Sequence, residues 1–432
     1  MTRQASNAHS GPPEHEIRSV LVVGAGLAAF GAVRALREYG FTGHIRMLGA
    51  EGVAPYDRPP LSKHLLDRDT PVWLAEDQRF DLVAAVDDLR LAEPAVALWV
   101  TDTSAEVVTE SARYAADAVV LACGARARRP PGWDSALTLH TSADAAALRA
   151  ELAPERHLVC IGAGWIGAEL AGAARAAGLQ VTVLEAAPAP LAGVLGGRVG
   201  GRLRPWYDAL DIALELGVQV VEVGPGQVLL GDGRAVTGDV VVAAVGARPA
   251  TDWLSGTVAL TSGGAIRVDV AHRVLGLPPH IVAVGDCVER FSPRHGWVPG
   301  GHWDAALRGP AIAVRNLLGI AADADDPRSD PAPYVFSTQL GHDLTLIGLP
   351  GADDDIVLRE GNPGWTALYF APRPTHGGRE LRAVLTVDRP HDVPAARRLF
   401  SAAALPVVKP RVAADAARDL RDALSERSGG SR

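Results

Sequence analysis

The strongest constraint in the sequence is a stretch of one kind that occurs twice. Residues 19–51 read SVLVVGAGLAAFGAVRALREYGFTGHIRMLGAE, and residues 157–185 read HLVCIGAGWIGAELAGAARAAGLQVTVLE. In the first, an apolar run from Val20 to Val23 ends at Gly24, and Leu27, Phe30, Val33 and Leu36 then recur at helical spacing up to Gly40. A second apolar run leads to Glu51, 22 residues after Ala29. The later stretch repeats this order and ends at Glu185. Each therefore reads as strand, turn, helix, strand. Such a turn needs glycine where the chain reverses (Gly24, Gly162) and again where the backbone approaches a pyrophosphate (Gly26, Gly164). A small third residue, Ala29 or Gly167, lets helix and sheet pack closely. The first helical residues, Leu27 and Ala28 in one unit and Trp165 and Ile166 in the other, offer backbone N–H groups and a helix dipole to the phosphates. The terminal acids are placed to hold ribose hydroxyls. Glycine-rich turns after strands also occur in α/β proteins without nucleotides. Two complete units with both acids predict two dinucleotide sites.

The rest of the composition narrows the class. At 432 residues, 48% hydrophobic and 21% charged, the chain has room for two or three domains with real cores. A net charge of -8 argues against nucleic acid as the main partner. Residues 1–17 are polar with no apolar stretch, which predicts a disordered tail rather than a leader; no run approaches a membrane span, and a cytoplasmic protein is expected. Cys123, Cys160 and Cys287 are scattered, with neither a C-x-x-C pair nor metal spacing. Cys160 and Cys123 read as small buried hydrophobes, and a redox-active disulfide and a metal are not expected.

Just past Glu51 the chain runs APYDRPPLSK, 54–63, too rich in proline for regular helix or central strand. Its cations, Arg58 and Lys63, suit a pyrophosphate or a flavin ring edge, and equally a solvated surface loop. On GAGLAA followed by PYDRPPLSK, the sequence resembles the FAD-dependent ferredoxin reductases of oxygenase systems, the putidaredoxin and rubredoxin reductase type. The resemblance covers about 18–425 and implies contacts from Arg58 and Lys63 to FAD. It makes 114–124 a strand whose end, Cys123-Gly124, returns beside the FAD pyrophosphate, with Arg129 also at the cofactor. It gives Trp165, by pattern a core aromatic, a place shielding the flavin–nicotinamide stack. Glu169 then faces the nicotinamide side, and with Lys63 and Trp165 forms the catalytic group.

The same resemblance makes Gly246-Ala-Arg-Pro249 the close of the NADH domain. Gly285-Asp286, otherwise an ordinary turn, binds a ribityl hydroxyl and phosphate, and His302-Trp303 meets the flavin pyrimidine ring. Three departures stand out: Gly301 where a glutamate is usual, Gly309-Pro310 in place of a glutamine, and no arginine near Ala189 or Gly193. A carboxylate at Glu185 repels a 2′-phosphate, so NADH is favoured over NADPH.

The expected fold is α/β, with two Rossmann-like dinucleotide-binding domains in a glutathione-reductase-like architecture and a small α+β C-terminal domain. The boundaries are a tail to 17, an FAD domain of 18–125 and 255–325, an NADH domain of 126–254, an interface domain of 326–415, and a charged helix with a flexible end from 416. Within this plan 139–152 is a capped helix, 305–318 a helix, and 322–333 a linker. Strands near 334–339, 344–349, 356–359, 365–370 and 381–387 form an antiparallel sheet followed by a helix at 393–404, with Phe336 where tryptophan is usual. The implied reaction takes hydride from NADH to flavin N5 and passes electrons singly to a [2Fe-2S] ferredoxin. Arg126, Arg128, Arg129, Arg308 and Arg315 are candidates for its docking patch, or simply a solvated face. A small acceptor such as oxygen or a quinone, or a flavin-bound redox-sensing scaffold with little turnover, are the alternatives.

Overall fold

The computed structural model describes residues 16–321, 329–375 and 378–425. The strand Ser19–Val23 pairs in parallel with His44–Leu48 on one side and Ala118–Leu121 on the other; Asp88–Arg90 and Ile281–Ala283 complete a five-stranded parallel sheet. Ser19–Val23, Ala118–Leu121 and Ile281–Ala283 are buried along nearly their whole length, as a parallel sheet covered on both faces requires. Because Ile281–Ala283 joins from far along the chain, this unit is assembled from two segments. The helix Leu27–Glu38 covers one face and packs against Trp303–Leu317. That second helix runs through Pro310, whose ring lies where a Cβ on Gly31 would stand 3.3 Å away.

The second unit repeats the arrangement. His157–Ile161 lies between Gln180–Glu185 and Val240–Ala243, with Ala213–Leu216 at the edge, all parallel. Where the chain crosses into and out of it, Ala125–Ala127 and Ala247–Pro249 pair as an antiparallel ribbon. The helix Ser142–Glu151 starts at Thr141, whose hydroxyl accepts from the Asp144 N–H while the Asp144 carboxylate accepts in return from the Thr141 N–H. The C-terminal strands Tyr334–Gln339, His342–Gly348, Gly378–Val387, Trp365–Thr375 and Asp355–Glu360 stand side by side in that order, antiparallel, as their alternation predicts.

Three elements differ from expectation. The strand read at 114–124 is two, Arg113–Ala116 in a small antiparallel sheet and Ala118–Leu121 in the parallel one. The break is Asp117, whose carboxylate accepts from the Arg18 and Ser19 N–H groups and the Ser19 hydroxyl, all at 2.9 Å. The helix read at 393–404 spans only Asp392–Leu399. No charged helix forms from 416: the described part has a 3-10 turn, Leu420–Ala423. There Asp415 and Asp419 accept from the Ala417 and Arg421 N–H groups two residues on, competing with helical bonding. The tail at 1–15, most of the linker (322–328) and 426–432 lie outside the described residues. Among the described residues no helix is long and apolar enough to cross a membrane.

A candidate cofactor cavity

At the carboxyl ends of the first parallel sheet lies a cavity of about 370 Å³, within the usual range for a small-molecule site and at the usual place in an α/β sheet. Gly24 forms its floor with φ +129°, and a Cβ there would stand 2.0 Å from the Ala122 carbonyl oxygen. At Gly26 an added Cβ would meet nothing within 4 Å, so the turn is open towards the cavity. Leu27 and Ala28 of the following helix, Cys123-Gly124 and Gly285-Asp286 also line it. Ala29 does not. It is fully buried between helix and sheet, the packing role its size predicts.

Glu51 and Arg58 face the cavity together. The Glu51 carboxylate accepts from the Arg58 guanidinium at 2.5 Å and from the Tyr56 hydroxyl at 2.6 Å. Burial works to raise the Glu51 pKa, but the Arg58 charge and the Tyr56 bond outweigh it and hold the carboxyl below its ordinary range. Burial also pushes Tyr56 up to about 12. Arg58 donates in addition to the His140 carbonyl at 2.6 Å, and burial holds the His140 ring below its ordinary value. Asp57 accepts from the Trp303 indole N–H at 2.8 Å, its pKa raised by burial. His302, also in the wall, is lowered by burial.

At the far end the Lys63 ammonium is ion-paired with Glu169, and lies 5.4 Å from the Phe336 ring centre. Trp165, Ile166 and Glu169 reach in from the start of the helix Trp165–Ala176. Here sequence reasoning missed Ser62 and Ser337, whose hydroxyls donate to Glu169 at 2.6 and 2.5 Å. It also missed the partners Tyr56, Asp57 and His140. Tyr56 and Asp57 stood inside the quoted PYDRPPLSK, but only Glu51 and Trp303 give them roles.

The second glycine-rich turn is built alike but does not line this cavity. A Cβ at Gly162 would stand 2.5 Å from the Ala244 carbonyl oxygen, and one at Gly167 2.1 Å from the Gly162 carbonyl oxygen. The space at Gly164 is open. The Glu185 carboxylate accepts from the Ala163 N–H at 2.6 Å and the Ala187 N–H at 2.8 Å, so it closes its own turn. Ala189 is buried against Pro190 and Gly200 and leaves no room for an arginine, whereas Gly193 is exposed with open space. Gly246 is exposed beside the two-stranded ribbon.

One placement differs from expectation, and one contact was not legible. Arg129, two residues past the ribbon, is exposed and absent from the cavity wall. The cysteines are not all apart: Cys287, fully buried, donates its thiol to the Val284 carbonyl at 3.3 Å and packs in the same core cluster as Cys123, since Ile281–Ala283 pairs directly with Ala118–Leu121; the neighbouring Cys123 thiol and burial raise its pKa. All three thiols are free, and burial pushes Cys160 up to about 12. Of the five arginines considered for docking, Arg308 pairs with Asp304 at 2.8 Å, Arg126 lies 3.8 Å from Asp252, and Arg315 donates to Ser329. Arg128 and Arg129 have no ion pair among the described residues.

The residues fit FAD: glycines along the floor, with no room for a side chain at Gly24 and Gly285, an acid–arginine pair at one end, and aromatic residues with a Lys–Glu pair at the other. Residues 18–307 match the family described as pyridine nucleotide-disulphide oxidoreductase, and 334–424 match reductase C-terminal. The chain is 33% identical over 428 residues to the ferredoxin–NAD(+) reductase subunit of the benzene 1,2-dioxygenase system of Pseudomonas putida, covering 95% of this chain and 98% of that one. It is 31% identical to rhodocoxin reductase of Rhodococcus erythropolis, with 94% of each covered. The reductase in the crystal structure of the covalent putidaredoxin reductase–putidaredoxin complex superposes with a TM-score of 0.83 at 26% identity, covering 94% and 97%. With a two-domain match along nearly its whole length, the chain belongs to the pyridine nucleotide-disulphide oxidoreductase family, as a member that carries the reductase C-terminal domain.

Proposed function

We propose that this chain is an FAD-dependent NADH oxidoreductase that delivers electrons to a [2Fe-2S] ferredoxin serving an oxygenase. The observation that carries it is that both glycine-rich units feed one cavity: Leu27 and Ala28 line it from the first helix, Trp165, Ile166 and Glu169 from the second. Bound FAD supplies the redox chemistry, accepting a hydride from NADH and releasing electrons one at a time. The chain's own residues bind, orient and exclude water. Gly24, Gly26, Gly124 and Gly285 leave backbone room for the dinucleotide, Glu51 and Arg58 fix one end, Asp286 takes a ribityl hydroxyl and phosphate, and His302 and Trp303 bound the ring end. Gly162, Gly164, Gly167 and Glu185 receive NADH, and Glu185 disfavours the 2′-phosphate of NADPH. Trp165, Glu169 and Lys63 stand where the two cofactors would meet, holding them at reacting distance.

This reading divides the chain at 18–125 with 255–325, 126–254, and 326–415, a division the three main sheets support. It places the protein in the cytoplasm, in keeping with three free thiols. The test is an oxygen-free titration followed by visible absorption. One equivalent of NADH is expected to bleach the flavin, with NADPH far slower, and added [2Fe-2S] ferredoxin to restore the oxidised spectrum. A flavin that NADH leaves unchanged sinks the proposal, and steady turnover with oxygen or a quinone but not ferredoxin redirects it to a small acceptor.

A further inference from the structure

Three parts of the chain meet at Glu169. The carboxylate is on the helix Trp165–Ala176, Ser62 and Lys63 are on the turn Pro60–Lys63, and Ser337 is on the strand Tyr334–Gln339. Oε1 accepts from the Lys63 ammonium and from the Ser337 hydroxyl at 2.5 Å; Oε2 accepts from the Ser62 hydroxyl at 2.6 Å. Ser337 Oγ in turn accepts from the Gln339 side-chain amide at 3.1 Å. Glu169, Ser337 and Gln339 are all buried. A hydroxyl has one proton to give. With the Gln339 amide on its oxygen, the proton of Ser337 is directed at Glu169.

Composition sharpens the point. Of 42 basic Lys and Arg residues only two are lysine, Lys63 and Lys409. A chain that uses arginine nearly everywhere keeps lysine where a compact charge on a flexible stem is needed, and such a stem is positioned only by its partners. The partner of Lys63 is Glu169, and the group that holds Glu169 from the C-terminal sheet is Ser337. We propose that Ser337, oriented by Gln339, is a positioning residue: it fixes the Glu169 carboxylate so that the Lys63 ammonium is presented to the cavity in one place. The C-terminal domain thereby contributes to the hydride-accepting site, and the inference rests on the reading of that cavity given above.

The scarcity of lysine makes the test direct. Reductive methylation with carbon-13 formaldehyde labels three amines, the amino terminus, Lys63 and Lys409; Lys409→Arg removes one resonance and Lys63→Arg another, which identifies that of Lys63. In the FAD-loaded protein, before any NADH is added, Ser337→Ala is expected to move the Lys63 resonance and Ser337→Thr to return it. Ser337→Ala is also expected to slow flavin reduction by NADH about tenfold, the size of a lost hydrogen bond to a charged group, with KM nearly unchanged. A Lys63 resonance unmoved in Ser337→Ala, or reduction at the wild-type rate, overturns the proposal. Gln339→Met keeps the packing volume and covers the case in which Ser337→Ala fails to fold. It is expected to shift resonance and rate less, in the same sense, and no shift there overturns the proposal equally. Wild-type flavin that NADH does not bleach would instead sink the reading of the cavity, while the Lys63 resonance would still decide the positioning role.

Discussion

The two glycine-rich units differ less in their backbones than in what surrounds them. In both, the first glycine donates its N–H to the end of the neighbouring strand, Gly24 to Leu48 and Gly162 to Leu184, each at 2.7 Å. In both, that glycine sits at positive φ against a carbonyl of the strand on the other side, Ala122 or Ala244. The acids then part company. Glu51 is held by side chains from the following loop and lines the cavity, whereas Glu185 is turned onto the backbone of its own turn, which does not line it. A turn whose acid is braced by loop side chains at a cavity suits a cofactor that stays, and one outside that cavity suits a substrate that must leave each cycle. The local fingerprint says that a dinucleotide binds. The surroundings say for how long.

The sharpest way to break that comparison is to fill the two turns in parallel. Gly24→Ala and Gly162→Ala each force a Cβ into a backbone carbonyl at positive φ, a cost of about 3 kcal/mol or more. Gly24→Ala is expected to purify without flavin, while Gly162→Ala keeps its flavin and loses at least about tenfold in reduction by NADH, since only the second site is disturbed. Flavin absorbance at purification and the oxygen-free reduction rate read both. Loss of flavin from Gly162→Ala would show that the sites are not separable.

The acids test the same contrast with a smaller change. Glu51→Gln leaves Arg58 facing the cavity beside a neutral amide and is expected to raise the FAD dissociation constant about tenfold, the worth of a charge-assisted bond. Glu185→Gln is expected to leave flavin content alone and to reduce the preference for NADH over NADPH by about fivefold, as the repulsion of a 2′-phosphate is removed. A Glu185→Gln protein with unchanged preference would mean that discrimination lies elsewhere in the loop.

Acid separates cavity from core. Because the folded Glu51 has a pKa below its ordinary 4.5, its stabilisation is complete above pH 4.5 and is lost as the pH falls through the folded value. Wild type and Glu51→Gln should therefore retain flavin differently at neutral pH and converge in acid. His272, behind the cavity, is lowered from 6.5 to about 3 by burial and by the Arg290 charge. Between those values only the unfolded chain takes up its proton, so the fold loses stability as pH drops from 6.5 towards 3. His272→Asn, a residue that tolerates the positive φ there, is expected to flatten the fall of Tm across that window without changing flavin retention.

What could be read from the sequence was what is local. The two βαβ units, the Thr141 cap and the five alternating C-terminal strands follow from apolar spacing and from residues within a few positions of each other. What could not be read was set by partners far along the chain. Asp117 breaks a strand by bonding Ser19 across 98 residues, and Ser337 reaches Glu169 across 168. The Cys123–Cys287 contact exists only because a late strand enters the first sheet. At Glu185 the spacing correctly located a carboxylate beside the turn; its direction depended on two backbone N–H groups that no side-chain pattern reports.

The smallest expected effect concerns the partner rather than the cofactors. Burying a charge pair against a ferredoxin requires arginines not already engaged, and three of the five considered are held by Asp304, Asp252 or Ser329. Arg128 and Arg129 are exposed and have no ion pair among the described residues, so any steering from this group of arginines falls mainly to them. Arg128→Glu combined with Arg129→Glu is expected to slow ferredoxin reduction about threefold at low ionic strength and hardly at all near 0.5 M salt, roughly where exposed charges are screened within a few ångström. Flavin reduction by NADH should not change, because neither residue lines the cavity. An equal loss at both salt concentrations would point to a structural effect on the ribbon Ala125–Ala127. No loss at either would mean that the ferredoxin docks elsewhere on the molecule.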